Sequence, residues 1–196
     1  MKRLFDFVMS GFGLIVLSLL FLILAIWVKL DSPGPVFFRQ TRVGRNNKDF
    51  RIFKFRTMRV GADKGSLVTI GGMDPRITRA GVFLRKTKLD EMPQLINVFV
   101  GDMSLVGPRP EVRHYVDYWT PEQMRVLDIR PGVTGPASIK FRDENELLAA
   151  VEDPEKYYIE VVMQEKLRLD LAYVRTHTFF GDLLLILKTI KVVNSD

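Results

Sequence analysis

Residues 7–28 carry no charge over 22 consecutive positions, and no other feature of this 196-residue chain constrains its fold so strongly. As one helix, rising ~1.5 Å per residue, such a run reaches roughly 33 Å, about the thickness of a hydrocarbon core. Its apolar residues fall on every face, which suits lipid better than one-sided burial in a two-layer domain. Met1-Lys2-Arg3 looks like the start of a signal peptide, but the run exceeds the usual length of about 7–15 residues. Trp27-Val28-Lys29-Leu30 also offers no small-residue cleavage site.

Positive charge marks the cytoplasmic side of a membrane helix, and here both ends are positive. Lys2 and Arg3 flank one end; Lys29 and a basic cluster flank the other. A straight span pushes one positive end outward, whereas a helix that enters and bends back keeps both on one face. Ser10-Gly11, Gly13 and Ser18 supply the Gly and Ser residues that recur at kinks. The pattern predicts a re-entrant element over residues 1–33, with a full span as the alternative. Asp31-Ser32-Pro33-Gly34-Pro35 ends the helix, because Pro cannot continue it and restricts the residue before it. Residues 34–196 are then a cytosolic domain.

Net charge is +6, and its placement matters more than its size. Residues 39–59 hold eight basic side chains and one acid, whereas residues 60–196 are slightly acidic. Apolar and basic residues alternate in Val36-Phe37-Phe38-Arg39-Gln40 and in Phe50-Arg51-Ile52-Phe53-Lys54-Phe55. The spacing predicts a hairpin with an apolar inner face and a basic outer face able to hold anionic lipid at about 1 kcal/mol per charge. Nucleic acid is disfavoured as a partner: the stripe adjoins a membrane segment, and no helix-turn-helix or zinc-finger pattern follows. The absence of cysteine excludes a disulfide scaffold, a zinc knuckle and a thiol nucleophile.

Gly71-Gly72-Met73-Asp74-Pro75 reads as a loop, after which Arg76, Arg79, Arg85, Lys86 and Lys88 crowd toward Asp90-Glu91. Pro93 is accommodated only in a helix's first turn, so a helix through Leu95-Ile96-Asn97-Val98-Phe99 is expected to start near Asp90, with Asp90 at or beside the N-cap. Asp is a preferred N-cap residue and Glu a normal first-turn residue. The functional alternative is a carboxylate held ionised among cations, where phosphate also binds, and able to attack phosphorus. Gly107-Pro108-Arg109-Pro110 holds an arginine in a stiff loop suited to bidentate phosphate binding. Arg130-Pro131-Gly132 is a second rigid turn, residues 143–165 read as solvated acidic helix faces, and residues 179–191 as an apolar helix in the core or the membrane interface.

The order of these motifs resembles the bacterial sugar transferase family of small monotopic phosphoglycosyl transferases. The resemblance runs from Asp31-Ser32-Pro33-Gly34-Pro35-Val36-Phe37-Phe38-Arg39-Gln40 through Phe53-Lys54-Phe55-Arg56-Thr57-Met58, Asp74-Pro75-Arg76 and Leu89-Asp90-Glu91 to Gly101-Asp102-Met103-Ser104-Leu105-Val106-Gly107-Pro108-Arg109-Pro110. It implies an α+β fold: a re-entrant or spanning N-terminal membrane helix, then a small, mostly helical domain with a short β-hairpin and interfacial helices. It also implies transfer of a sugar 1-phosphate from a UDP-sugar to polyprenol phosphate, usually undecaprenyl phosphate, with release of UMP. The expected place is the cytoplasmic face of a bacterial inner membrane, at the start of glycan assembly on lipid. By the same resemblance Asp90 is the covalent nucleophile with Glu91 beside it. Mg2+ is required, with Asp90 and Glu91 as its candidate ligands. Lys54, Arg56, Arg85 and Arg109 bind phosphate or membrane, and Asp170 is a further acid near the site. A homodimer is compatible with this reading. The family's Ser-Pro helix break is absent, since Ser18 precedes Leu19, and Pro136-Ala137-Ser138 stands where many members have Trp-Ala-Gln, so the sugar is not carried over. The competing reading is a non-catalytic, membrane-tethered adaptor that binds anionic lipid through the basic stripe.

Overall fold

The uncharged run folds as two helices, α1 (Lys2–Val16) and α2 (Ser18–Asp31), which meet at an angle of 63°. The computed structural model describes residues 1–62 and 74–193. Among them no single helix is long and apolar enough to cross a membrane; the bent pair is, by length and composition. The break falls at Leu17, next to Ser18, and not at the glycines. Gly11 and Gly13 serve close packing instead. A Cβ on Gly11 would sit 3.1 Å from Phe99, and one on Gly13 3.2 Å from Leu95, both on α4 (Gln94–Val100).

Both ends of the bent pair are fastened to the same body. At the start of α1, Lys2 donates to the Val106 carbonyl at 2.9 Å and pairs with Asp182, while Arg3 donates to the Phe99 carbonyl at 2.8 Å. Asp6, buried in α1, accepts from Ser104 Oγ at 2.9 Å and from the Leu105 N–H at 3.0 Å. At the far end α2 stops at Asp31, as the Pro-rich segment predicts. There the buried Arg56 donates to the carbonyls of Val28 (3.2 Å), Ser32 (2.6 Å) and Pro33, satisfying acceptors that a helix end leaves open. Gly34 makes room for that guanidinium: it has φ of 129°, and a Cβ there would overlap Arg56.

The inner face of α2 belongs to the core, since Leu24 and Val28 pack with Phe55, Ala80 and Leu84. Its other faces, like those of α1, expose Leu4, Val8, Phe12, Ile15, Leu19, Ile23, Ile26 and Leu30. Apolar surface on this scale marks an interaction face. The expected hairpin forms from β1 (Phe37–Val43) and β2 (Asp49–Phe55), antiparallel, with Phe37 opposite Phe55 and Val43 opposite Asp49. Its basic residues do not form one outward stripe. Arg39, Arg45, Lys48, Arg51 and Arg59 are exposed, but Arg42 and Lys54 turn inward and Arg56 is buried.

After α3 (Arg79–Lys86), N-capped by Thr78, come a 3-10 turn at Leu89–Glu91 and then α4. A two-stranded parallel sheet joins β3 (Ser104–Val106) to β4 (Gly132–Thr134), between which lies the short helix α5 (Arg113–Val116). Arg130 donates to the Gly101 carbonyl at 2.8 Å and so ties the second rigid turn to the end of α4. The remainder is helical: α6 (Pro136–Lys140), α7 (Glu144–Ala149), α8 (Pro154–Tyr157), a π turn at Tyr158–Val162, α9 (Met163–Thr176) and α10 (Phe179–Val193). A second core joins Tyr115, Val126, Leu148, Tyr158, Met163 and Leu167. Among the described residues the architecture is α+β and mostly helical, with two small sheets. Helix α10 leaves Phe180, Leu184, Leu187 and Ile190 exposed, and its first turn packs Phe179 edge-on to Phe5 of α1 at 5.3 Å.

Candidate active site

Asn97 sets the relation between the carboxylate pair and the hairpin. Fully buried in α4, its side chain accepts from the Phe53 N–H and donates to the Arg51 carbonyl, both at 2.9 Å, and so completes the edge of β2 as a neighbouring strand would. The turn just before α4 is thereby held over Lys54. That turn is not the start of the helix. Lys88 takes a left-handed conformation (φ 56°) and Pro93 stands immediately before Gln94, the first residue of α4, so Asp90 lies in the separate 3-10 turn and is not an N-cap.

Glu91 is saturated with cations. Its Oε1 accepts from Lys54 Nζ at 2.7 Å and from Arg109 Nη2 at 2.5 Å; its Oε2 accepts from Arg109 Nη1 at 3.0 Å. Burial pushes the Glu91 carboxyl up, but Arg109 and Lys54 outweigh it and hold the group well below the usual carboxylate range. Asp90 is the reverse case. Among the described residues nothing is hydrogen-bonded to its carboxylate, and burial raises its pKa against the opposing charges of Lys54, Arg85 and Arg109. It is therefore more basic than an ordinary aspartate, not less, which corrects the expectation of a carboxylate stabilised at a helix N-terminus. Burial likewise lowers Lys54 and Arg85, and Arg85 donates to Thr57 Oγ1 at 2.9 Å. An unpartnered, basic carboxylate facing three cations can attack a phosphorus whose charge those cations neutralise.

Lys54, Arg85 and Arg109 thus gather around Asp90 and Glu91, and Arg56 does not join them, because its guanidinium closes the end of α2. Of the other cations expected to crowd the acids, Arg76 pairs with Asp74 at 2.6 Å and Lys88 donates to the Arg142 carbonyl at 3.3 Å. Gly71, Gly72 and Met73 lie outside the described residues. Asp170 is buried on α9, with no contact to Asp90 or Glu91 among the described residues. It stands one step further along a charge chain: Lys166 acts on it, Lys166 pairs with Glu144, and the charge of Glu144 reaches Arg109. Glu144 and Lys166 escaped the sequence reading because an acidic stretch looks solvated throughout. Asn97 had a legible signal, an amide inside an apolar helical run.

Burial, opposed by Lys166, pushes Asp170 up to about 7. Its unfolded value is about 3.9, so the folded state holds the proton more tightly. That stabilisation is complete below about pH 4 and is lost as pH rises to about 7, in total roughly 4 kcal/mol. We expect the melting temperature to fall between pH 5 and 8, and Asp170→Asn to flatten that slope. An equally steep slope in the variant would assign the titration elsewhere.

Among the described residues no three His, Cys, Asp or Glu side chains converge on a metal position. Mg2+ needs only one or two carboxylates when substrate phosphates supply the remainder. Asp90, free of donors among the described residues, fits that requirement. Glu91, with Oε1 doubly engaged, fits it only if a cation lets go.

The site is thus a carboxylate that, among the described residues, has no hydrogen-bonded partner, ringed by cations and beside a largely apolar helix pair. The chain belongs to the bacterial sugar transferase family, whose model matches residues 1–196, as the order of motifs implies. It is 37% identical, over 98% of its length, to UDP-N-acetylgalactosamine-undecaprenyl-phosphate N-acetylgalactosaminephosphotransferase of Aeromonas hydrophila. It is 38% identical over 97% to UDP-glucose:undecaprenyl-phosphate glucose-1-phosphate transferase of Escherichia coli strain K12, and 37% identical over 97% to exopolysaccharide production protein PSS of Rhizobium leguminosarum bv. phaseoli. The chain spans 43% and 39% of the first two relatives and 93% of the third.

Proposed function

We propose that this chain transfers a sugar 1-phosphate from a UDP-sugar to undecaprenyl phosphate in two steps through Asp90. The observation that carries the reading is the division of labour in the acid pair: Glu91 is committed to Lys54 and Arg109, while Asp90 is basic and, among the described residues, unpartnered. An Asp90 oxygen attacks the β-phosphorus, the bond to UMP breaks, and UMP leaves with the electron pair. A phosphate oxygen of the polyprenol then attacks the same phosphorus and releases the Asp90 carboxylate. Lys54, Arg85 and Arg109 hold the phosphates and offset their growing charge. Mg2+, held by Asp90 together with the substrate phosphates, would supply further charge neutralisation. The names of the relatives support the substrate class, and the reaction is then a first membrane step of polysaccharide assembly, on the cytoplasmic face of a bacterial inner membrane. Purified protein with polyprenol phosphate, Mg2+ and a panel of UDP-sugars should release UMP with one of them. Silence across the whole panel would leave the lipid-binding adaptor, which the exposed Arg39, Arg45, Lys48, Arg51 and Arg59 would serve.

The helix pair is read as re-entrant, because Lys2, Arg3 and Asp6 at one end and Asp31 and the Arg56 contact at the other are fastened to one domain. A cysteine placed next to Met1 should react with impermeant thiol reagents only from the cytoplasmic side. Labelling from outside the cell would sink the idea.

A further inference from the structure

Two arginines act on Glu91, and only Arg109 is bonded to it. Arg42 leaves β1 on the hairpin face that also carries Lys54, as the pairings Phe38 with Lys54, Gln40 with Ile52 and Arg42 with Phe50 require. Its guanidinium donates to the Pro110 carbonyl at 3.2 Å, so it touches the residue next to Arg109. That second guanidinium repels Arg109 and is drawn to the same carboxylate.

Glu111 offsets this. Its Oε1 accepts from Arg42 at 3.2 Å and from the Val112 N–H at 2.9 Å, its Oε2 accepts from the Tyr158 hydroxyl, and its carbonyl accepts from the Val43 N–H at 2.8 Å. One residue thereby joins β1, the Arg109 loop and the π turn, a backbone form that recurs at functional positions. Burial, then Glu111 and Glu144, hold the Tyr158 phenol well above its ordinary value, so it remains a donor.

We propose that Glu111 is a positioning residue for Arg109: it takes the charge of Arg42 and ties down the loop, so that Arg42 does not compete for Glu91 and Arg109 keeps its alignment toward the substrate's phosphates. This rests on the transferase reading above. Without the Glu111 charge, Arg42 turns to Glu91, and Arg109 loses the alignment needed as charge develops on the transferring phosphorus. Such a loss falls on kcat more than on KM.

The test is steady-state UMP release by the intact protein. Glu111→Gln should lower kcat about 30-fold, with KM for the UDP-sugar changed less than about threefold. Adding Arg42→Gln removes the stranded cation and should bring kcat back to within about fivefold of wild type. A double variant as slow as Glu111→Gln, or slower, is the signature of a merely structural pair and overturns the proposal, as does an unchanged kcat in Glu111→Gln. Should that variant fail to fold, Tyr158→Phe removes one donor and no charge; it should lower kcat about threefold at constant KM, and an unchanged kcat overturns the proposal. Wild-type protein that releases no UMP overturns the transferase reading and this one with it, whereas an active wild type without rescue overturns this one alone.

Discussion

Asp90→Asn is expected to abolish UMP release, with turnover lower by at least about 10³-fold, because an amide cannot form the acyl phosphate on which a two-step transfer depends. The structure makes this an unusually clean substitution. Among the described residues Asp90 makes no hydrogen bond that Asn would lose, and its neighbour Glu91 keeps Lys54 and Arg109. Burial raises the Asp90 pKa, so the ionised group destabilises the fold at neutral pH and the neutral amide relieves that strain. Activity should therefore vanish while the melting temperature stays level or rises. With a labelled sugar phosphate and no lipid acceptor, wild-type protein should retain label and the variant none. Full turnover in Asp90→Asn would exclude the covalent route.

Arg109→Ala is expected to lower kcat/KM by about 10²–10³-fold, the usual loss when a preorganised donor to developing charge is removed. Its fork already shows the required geometry, since two nitrogens meet the two oxygens of Glu91 as such a fork meets two oxygens of a phosphate. Arg109→Lys keeps the charge without the fork and should recover only part of the loss, about tenfold. Thermal melts separate this from unfolding, because the loop stays pinned by its main chain, with Pro108 accepting from Gly132 N–H at 2.8 Å and Gly107 donating to Thr134. A kcat/KM within threefold of wild type for Arg109→Ala would place the phosphate elsewhere.

Much of the site was legible because its parts carry local signals. Asp90-Glu91 stood out by its place between basic residues and Pro93, and Arg109 by its two flanking prolines. Which cations serve the acids was not legible. Lys54 and Arg56 are two residues apart on one strand-like run, yet one reaches Glu91 and the other closes α2, 23–28 residues back along the chain. The sequence likewise could not separate Glu144, paired inside with Lys166, from its solvated neighbours.

By itself, then, the sequence determined what depends on neighbours along the chain: the uncharged run and its end at Asp31, the hairpin, the acid pair and the family order of motifs. Tertiary structure decided the bend at Leu17, the fastening of both helix ends to one body, and the unequal roles of Asp90 and Glu91. The physical reason is that burial and pairing are set by partners far apart in sequence. Glu91 meets Lys54 across 37 residues and Arg109 across 18, and a carboxylate's basicity follows from which partner reaches it first.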